Sequence, residues 1–98
     1  DVNATANPAY TTTTFVTTLE NSNEKTDVSV EVYDIAGRRI WNETSSTSAN
    51  ARYDAIRWSL TDYANRQVPA GIYIYRPIIS SSSKRVTTKS KKMIIVRQ

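Results

Sequence analysis

A strict alternation of apolar and polar side chains beginning at Val28 constrains the fold more than any other feature of this sequence. Val28, Val30 and Val32 are each followed by a more polar residue. Side chains at every second position of a β-strand share a face, so this segment is predicted to be a strand with one buried face. Gly37, which follows the strand closely, adopts positive φ at little cost and predicts a hairpin turn over residues 34–37.

Other short segments have the same β-branched or aromatic character, and no segment has a helical pattern. Strands are predicted at residues 11–19, 38–41, 55–60, 72–75 and 89–97, with polar loops at residues 20–26, 44–50 and 80–83. Such spacing is typical of an all-β, Ig-like antiparallel β-sandwich of about seven strands. We expect residues 10–98 to form this domain and residues 1–9 to be a linker from an upstream domain.

Three residue environments follow from local rules. The apolar run at residues 93–96 predicts a strand covered on both faces. Pro77 lacks a backbone N–H and therefore predicts a sheet edge. Tyr73, two residues before Tyr75, stands where sandwich domains carry a tyrosine corner.

The 98 residues include neither Cys nor His. A Ser-His-Asp or Cys-His mechanism is therefore impossible within this chain, and thiolate or imidazole metal ligands are missing. Asp34, Asp54 and Asp62 lie near predicted turns, where a carboxylate pair or a calcium site is one interpretation and bonding to local backbone amides is the other. We favour the second, and expect no enzyme, no cofactor and no metal.

All nine acidic residues precede position 84, so the net charge of +4 comes from the end of the chain. The basic residues there are Lys84, Arg85, Lys89, Lys91, Lys92 and Arg97. Nucleic-acid binding would favour interleaved aromatic residues, which this segment lacks. The charges either protect an edge strand from aggregation or belong to a recognition segment at the chain end.

Trp41, Trp58 and the Tyr residues allow two interpretations. Exposed rings would form a stacking platform for a carbohydrate, whereas buried rings would supply much of the core of so small a domain. We favour the core.

Four segments together resemble the C-terminal sorting domains of type IX secretion. Residues 30–40, VEVYDIAGRRI, resemble the hairpin of that family, and residues 68–76, VPAGIYIYR, following Trp58, resemble its next motif. Residues 91–97, KKMIIVR, resemble the closing strand, and Asn7-Pro8 before residues 13–15, TTF, resembles the opening. The structural motif residues are Asp34, Gly37, Arg38, Trp58, Pro69, Gly71 and Tyr73. The family often has Gly where this chain has Asn65, a residue that tolerates the left-handed conformation.

The resemblance implies a non-catalytic signal that directs a parent protein through the type IX translocon to the cell surface. It also implies docking to the outer-membrane barrel protein PorV. The residues implied in recognition are Lys91, Lys92, Met93, Ile94, Ile95, Val96 and Arg97. The polar loops, with TTF and the LEN of residues 19–21, are most similar to the C-terminal domain of the pathway's cell-surface sortase, and this similarity implies a domain that is retained rather than cleaved. Nucleic acid and small-molecule substrates are not expected, and strand swapping into a homodimer is an open alternative.

Two other functions remain open at this point. An adhesion or spacer module of the fibronectin type III or Ig class would have the same sandwich and a dispensable tail. A carbohydrate-binding module would expose Trp41 or Trp58.

Overall fold

The computed structural model describes residues 11–19, 25–48, 53–81 and 85–97, together with the backbone of residues 2–4. These residues form eight β-strands and no helix, so no membrane-spanning helix is found among them. In chain order the strands are β1 (Val2–Ala4), β2 (Thr13–Thr18), β3 (Thr26–Tyr33), β4 (Arg39–Thr47), β5 (Tyr53–Trp58), β6 (Gly71–Ser81), β7 (Arg85–Thr87) and β8 (Lys91–Ile95).

The strands form two antiparallel sheets that enclose one core. The first sheet has the order β1-β2-β5, and the second has the order β4-β3-β6, with β7 and β8 both pairing with β6. Strand β6 serves two partners because it is 11 residues long: its first five residues pair with β8, and Ile78 to Ser80 pair with β7. The predicted all-β sandwich is confirmed.

Aromatic rings form the centre of the core and join the two sheets. The ring centroid of Phe15 in β2 lies 6.3 Å from that of Trp58 in β5 and 5.0 Å from that of Tyr75 in β6. Trp41 of β4 lies 5.4 Å from Trp58. Ring pairs at such distances stabilise a core beyond the area that they bury. The other buried apolar residues are Val28, Val30, Val32, Ile40, Ile56, Leu60, Val68, Tyr73, Met93 and Ile95.

Three predicted boundaries are corrected by the structure. Residues 44–47, predicted as part of a loop, continue β4 along β3, and the Thr47 hydroxyl donates to the Thr26 carbonyl at 3.0 Å. Residues 2–4, within the predicted linker, form β1 against β2. Of the predicted loop at 80–83, residues 80 and 81 belong to β6. Residues 49–50 and 82–84 and the Asn7-Pro8 motif lie outside the described residues.

The prediction that residues 93–96 are covered on both faces is wrong. Met93 and Ile95 are buried, whereas Ile94 points away from the core and is 43% exposed. The five-stranded sheet has its core on one side only, and no described residue forms a layer over the other side. The apolar residues of β8 are therefore divided by position: Met93 and Ile95 lie in the core and Ile94 lies on the outer face.

The prediction that Pro77 lies at a sheet edge is also wrong. The rule that proline cannot donate a hydrogen bond to a neighbouring strand still holds. Pro77 is buried in β6, opposite Val30 of β3. On the other side of β6, its carbonyl accepts a hydrogen bond from the Thr88 N–H at 3.1 Å. Strand β7 ends at Thr87 and β8 begins at Lys91, so the missing N–H of the proline faces the interval between two partner strands.

Candidate recognition surface

The predicted recognition residues lie on β8 and just beyond it, paired along the start of β6. Ile95 pairs with Gly71, and Met93 pairs with Tyr73. Met93 and Ile95 point into the core, whereas Lys92 and Ile94 are exposed on the outer face. Of the apolar residues, Met93 and Ile95 therefore contribute to the core, and Ile94 is accessible to a partner.

Arg97, two residues after β8, forms hydrogen bonds with the loop that follows β5. Its Nε donates to the Val68 carbonyl at 3.0 Å, and Nη2 donates to the Leu60 carbonyl at 3.2 Å. The N–H of Val68 donates to the same Leu60 carbonyl at 2.9 Å. Leu60 has φ of 60°, an uncommon conformation for a non-glycine residue. The predicted recognition residue Arg97 therefore has a structural role in this fold.

Two turns have the same structure. In the first, the Asp34 Oδ1 accepts the N–H of Ala36 at 3.0 Å and of Arg38 at 2.9 Å, and Gly37 has φ of 87°. The Gly37 N–H also donates to the Asp34 carbonyl. The aspartate stabilises the turn through these hydrogen bonds to backbone amides, as expected for a carboxylate at a turn. The predicted hairpin is confirmed.

The second turn repeats this arrangement between β5 and β6. The Asp62 Oδ1 accepts the N–H of Ala64 at 2.9 Å and of Arg66 at 3.0 Å. Asn65, with φ of 61°, occupies the place of the glycine. A shared pattern, D-x-A-[GN]-R, underlies both turns. Sequence reasoning missed this repeat, although the pattern is visible without a structure.

The two aspartates are held in their ionised form by the turns. The backbone N–H of Arg38 is the main cause that lowers the pKa of the Asp34 carboxyl, and the N–H of Arg66 does the same for the pKa of Asp62. A hydrogen bond to the charged form of an acid favours that form. Each aspartate also faces its arginine, at 3.2 Å for Arg38 and 3.5 Å for Arg66.

Tyr73 forms the predicted tyrosine corner. Its hydroxyl donates to the Pro69 carbonyl, four residues earlier, at 2.7 Å. Burial raises the pKa of the phenol, the nearby Asp34 charge raises it further, and Arg97 acts in the opposite direction. The motif residues Asp34, Pro69 and Tyr73 are thus brought together with Arg97 at one end of the sandwich.

A charged cluster crosses three strands on the outer face of the five-stranded sheet. Glu31 of β3 accepts a hydrogen bond from Arg39 of β4 at 2.9 Å and two from Arg76 of β6 at 3.0 and 2.7 Å. Arg76 also donates to the Tyr33 hydroxyl at 3.0 Å and lies 5.5 Å from the centre of that ring. Burial alone raises the pKa of the Glu31 carboxyl, but the hydrogen bonds from Arg76 and Arg39 outweigh it, and the net pKa is lowered. Sequence reasoning did not find this cluster.

Beside the cluster, the same outer face carries isoleucines. Ile72 and Ile94 are cross-strand partners on β6 and β8, 40% and 43% exposed. Ile74 lies between Tyr33 of β3 and Lys92 of β8. The strand register therefore places apolar and cationic side chains side by side.

The structure buries one of the two indoles that were considered for carbohydrate stacking. Trp58 is 1% exposed, and its Nε1–H donates to the Thr61 carbonyl at 2.9 Å. Trp41 is half-buried and packs against the core. The expectation that the tryptophans belong to the core is confirmed for Trp58 and holds in part for Trp41.

Of the three aspartates considered as a catalytic pair or calcium site, Asp34 and Asp62 bond local backbone amides, as expected. The expectation is wrong for Asp54, which lies within β5 rather than at a turn and accepts a hydrogen bond from the Ser45 hydroxyl of β4 at 2.8 Å. The described part of the chain contains no group of three or more acidic, His or Cys residues placed to hold a metal ion.

Comparison with known proteins places this fold beside two solved structures. No protein-family model matches the sequence, and a comparison with curated proteins gives no match. The whole chain superimposes on part of dimeric latent PorU from Porphyromonas gingivalis, with a TM-score of 0.88 and 29% identity. It also superimposes over 98% of its length on part of PorZ, described as an essential surface component of the type IX secretion system of the same organism, with a TM-score of 0.55 and 16% identity.

The two similarities support different conclusions. The likeness to PorZ shows the fold alone, because its identity is low, whereas the likeness to PorU includes sequence over the full chain. The chain spans 9% of the PorU chain and 11% of the PorZ chain. This chain is therefore similar in both fold and sequence to one part of PorU, and similar in fold alone to one part of PorZ.

Proposed function

We propose that this chain is a C-terminal domain of type IX secretion that acts as a signal for transport and as a docking module. The observation that carries the proposal is the match to a domain of PorU over the whole chain, at a TM-score of 0.88. The motifs that resemble the sorting domains occupy structured positions: the hairpin turn at Asp34, the tyrosine corner at Tyr73 and the paired strand β8.

The parent protein would be a sortase of the PorU type, carrying its catalytic residues upstream of this domain. The domain would then be non-catalytic, which suits a chain without Cys or His. It would remain attached and dock the parent to the barrel protein PorV at the outer membrane.

The mechanism of the signal follows from the two sides of β8. Met93 and Ile95 are buried in the core, so the strand is in place only when the sandwich is folded. The opposite side, with Lys92 and Ile94, is then presented to a partner. A folded domain would thus be recognised and an unfolded chain would not.

Transport of a reporter tests the proposal. A periplasmic reporter fused to the start of this chain should reach the surface of a type IX-competent cell, and should stay in the periplasm when residues 92–98 are deleted. The Phe15→Ala variant keeps the sequence of β8 but damages the core, so its reporter should also stay in the periplasm if the strand is recognised only in the folded domain. A host without the translocon is the negative control.

The alternatives give different results in the same assay. An adhesion or spacer module predicts that the reporter stays in the periplasm with or without residues 92–98. Surface display of the truncated reporter in normal amounts would show that β8 is not the address. The burial of Trp58 leaves the carbohydrate-binding alternative with only the half-buried Trp41 of its two indoles.

A further inference from the structure

The outer face of the five-stranded sheet carries an apolar area with cationic neighbours, which we call the isoleucine face. It consists of residues from three neighbouring strands that point away from the core: Tyr33 of β3, Ile72, Ile74 and Arg76 of β6, and Lys92 and Ile94 of β8. This set combines part of the predicted recognition segment with residues from distant parts of the sequence.

We propose that the isoleucine face docks a protein surface that has an apolar centre and carboxylates at its rim. The proposal rests on the proposed function, because it looks for this partner in the outer-membrane machinery, and it adds which surface is used. A recognition strand could bind through its backbone edge, and the proposal assigns binding to the sheet face instead.

The register of the strands supports an apolar centre. Ile72 and Ile94 are directly opposite each other, and Ile74 follows Ile72 on the same face of β6. Ile35, Tyr53, Tyr63 and Val86 are the other large exposed apolar residues in the described ranges, and they lie on turns or other strands. An apolar area contributed by adjacent strands marks an interaction site more strongly than single exposed side chains do.

The charges beside the apolar centre select an acidic partner. Lys92 and Arg76 flank Ile74, and Arg39 lies further along the same face. The Glu31 carboxylate is shared between Arg76 and Arg39, so two cations face one anion in that cluster. Complementary charge at the rim of an interface speeds association and excludes partners of like charge.

The same charges disfavour two other occupants. A second copy of this chain would bring Lys92 and Arg76 against like charges. An anionic bilayer would match the charge, but Ile72 and Ile94 are only 40% and 43% exposed and offer little depth for insertion compared with the apolar face of an interfacial helix. Both occupants are outcomes that the experiment separates.

The test measures binding of the chain to purified PorV in detergent. Ile72→Thr and Ile94→Thr keep β-branching, and together they should weaken binding at least about tenfold, as expected for residues at the centre of an interface. Ile35→Thr, on the exposed hairpin turn, is the matched control and should leave the affinity unchanged. Lys92→Glu should weaken binding and reduce its dependence on salt.

A second measurement needs no substitution at the surface. With isoleucine methyl groups labelled, addition of PorV should shift or broaden the NMR signals of Ile72, Ile74 and Ile94 and leave the signal of Ile35 unchanged. This result would not depend on the folding of a variant.

The outcomes distinguish the inference from the proposed function. If the unaltered chain binds PorV and the Ile72→Thr/Ile94→Thr variant binds equally well, the inference is wrong and the proposed function stands. If the unaltered chain does not bind PorV, both are overturned. Concentration-dependent dimerisation through Ile94, or binding to anionic vesicles that Ile94→Thr abolishes, would also overturn the assignment of an acidic protein.

Discussion

At the scale of single residues, the loops depend on a few side chains that bond backbone atoms. Asp34 and Asp62 each accept hydrogen bonds from the backbone of a turn. Tyr73 donates to the Pro69 carbonyl before β6, and Arg97 donates to the Val68 carbonyl in the loop after β5. In each case a single polar group satisfies backbone atoms that no strand partner reaches, which is how irregular segments remain ordered in a small domain.

Removal of the tyrosine hydroxyl should lower stability without changing the fold. We expect Tyr73→Phe to reduce the free energy of unfolding by about 1 kcal/mol, because the Pro69 carbonyl loses its donor. Urea unfolding checks this value, and the m-value should not change. Tyr53→Phe, on a side chain that is 68% exposed, is the control and should have no effect.

The repeated turns predict matched effects at their positive-φ residues. Gly37→Ala should destabilise the domain by about 1–2 kcal/mol, a cost of conformation alone because no atom lies within 4 Å of the added Cβ. Asn65→Ala should also destabilise it, whereas Asn65→Gly should change stability by less than about 0.5 kcal/mol. Equal stability of the two Asn65 variants in urea unfolding would contradict this account of the turn.

At the scale of strands, some strand boundaries are determined by the local sequence pattern and others by tertiary contacts. The alternation at Val28, Val30 and Val32 predicts β3 correctly because one face meets the core. Residues 44–47 have no apolar alternation, and their strand depends on distant partners: Ser45 bonds Asp54 and Thr47 bonds Thr26. No local pattern could give this extension.

The cluster around Glu31 makes the stability of the domain dependent on pH. The pKa of Glu31 is lowered in the folded chain, so the unfolded chain binds more protons, and stability rises with pH. The contribution is complete above the ordinary glutamate value near 4.5 and is lost as the pH falls through the lower folded value.

Denaturant midpoints measured from pH 6 down to pH 3 check this dependence. Glu31→Gln should have a shallower fall in stability below pH 4.5 than the unaltered chain. Some dependence should remain, because the pKa values of Asp34 and Asp62 are also lowered. Glu43→Gln, at an exposed position of β4, is the control, and an equal effect of both variants would argue against the cluster.

Strand β8 should tolerate substitution on one face only. Met93→Ala should destabilise the domain by about 2–5 kcal/mol, because the side chain is fully buried. Ile94→Ala should cost about 0.5 kcal/mol, since nearly half of the side chain is exposed. Thermal unfolding of the two variants is the measurement, and similar losses would mean that β8 is covered on both faces.

At the scale of the whole molecule, the two sheets share one core and should unfold together. Phe15 and Trp58 come from the three-stranded sheet, whereas Trp41 and Tyr75 come from the five-stranded sheet. Neither sheet has a separate core among the described residues. The architecture is predictable from the sequence for this reason, since a chain of 98 residues with short strands can enclose only one such core.

This shared core predicts a single unfolding transition. Tryptophan fluorescence reports the contact between the sheets, because Trp41 and Trp58 stack across it, and far-UV circular dichroism reports the strands. The two signals should change at the same denaturant concentration. A fluorescence change at lower denaturant would mean that the sheets separate before they unfold.

Residues 88–90, which connect β7 to β8 opposite Pro77, determine which side chains of β8 face the core and which face solvent. Val86 pairs with Ile79 and Met93 with Tyr73, so two partners six positions apart on β6 match residues seven positions apart on the returning chain. The additional residue among positions 88–90 reverses the inward and outward sides between β7 and β8. Loss of one residue there would turn Lys92 and Ile94 toward the core and Met93 and Ile95 toward solvent, so the length of a three-residue connection specifies the chemistry that the domain displays.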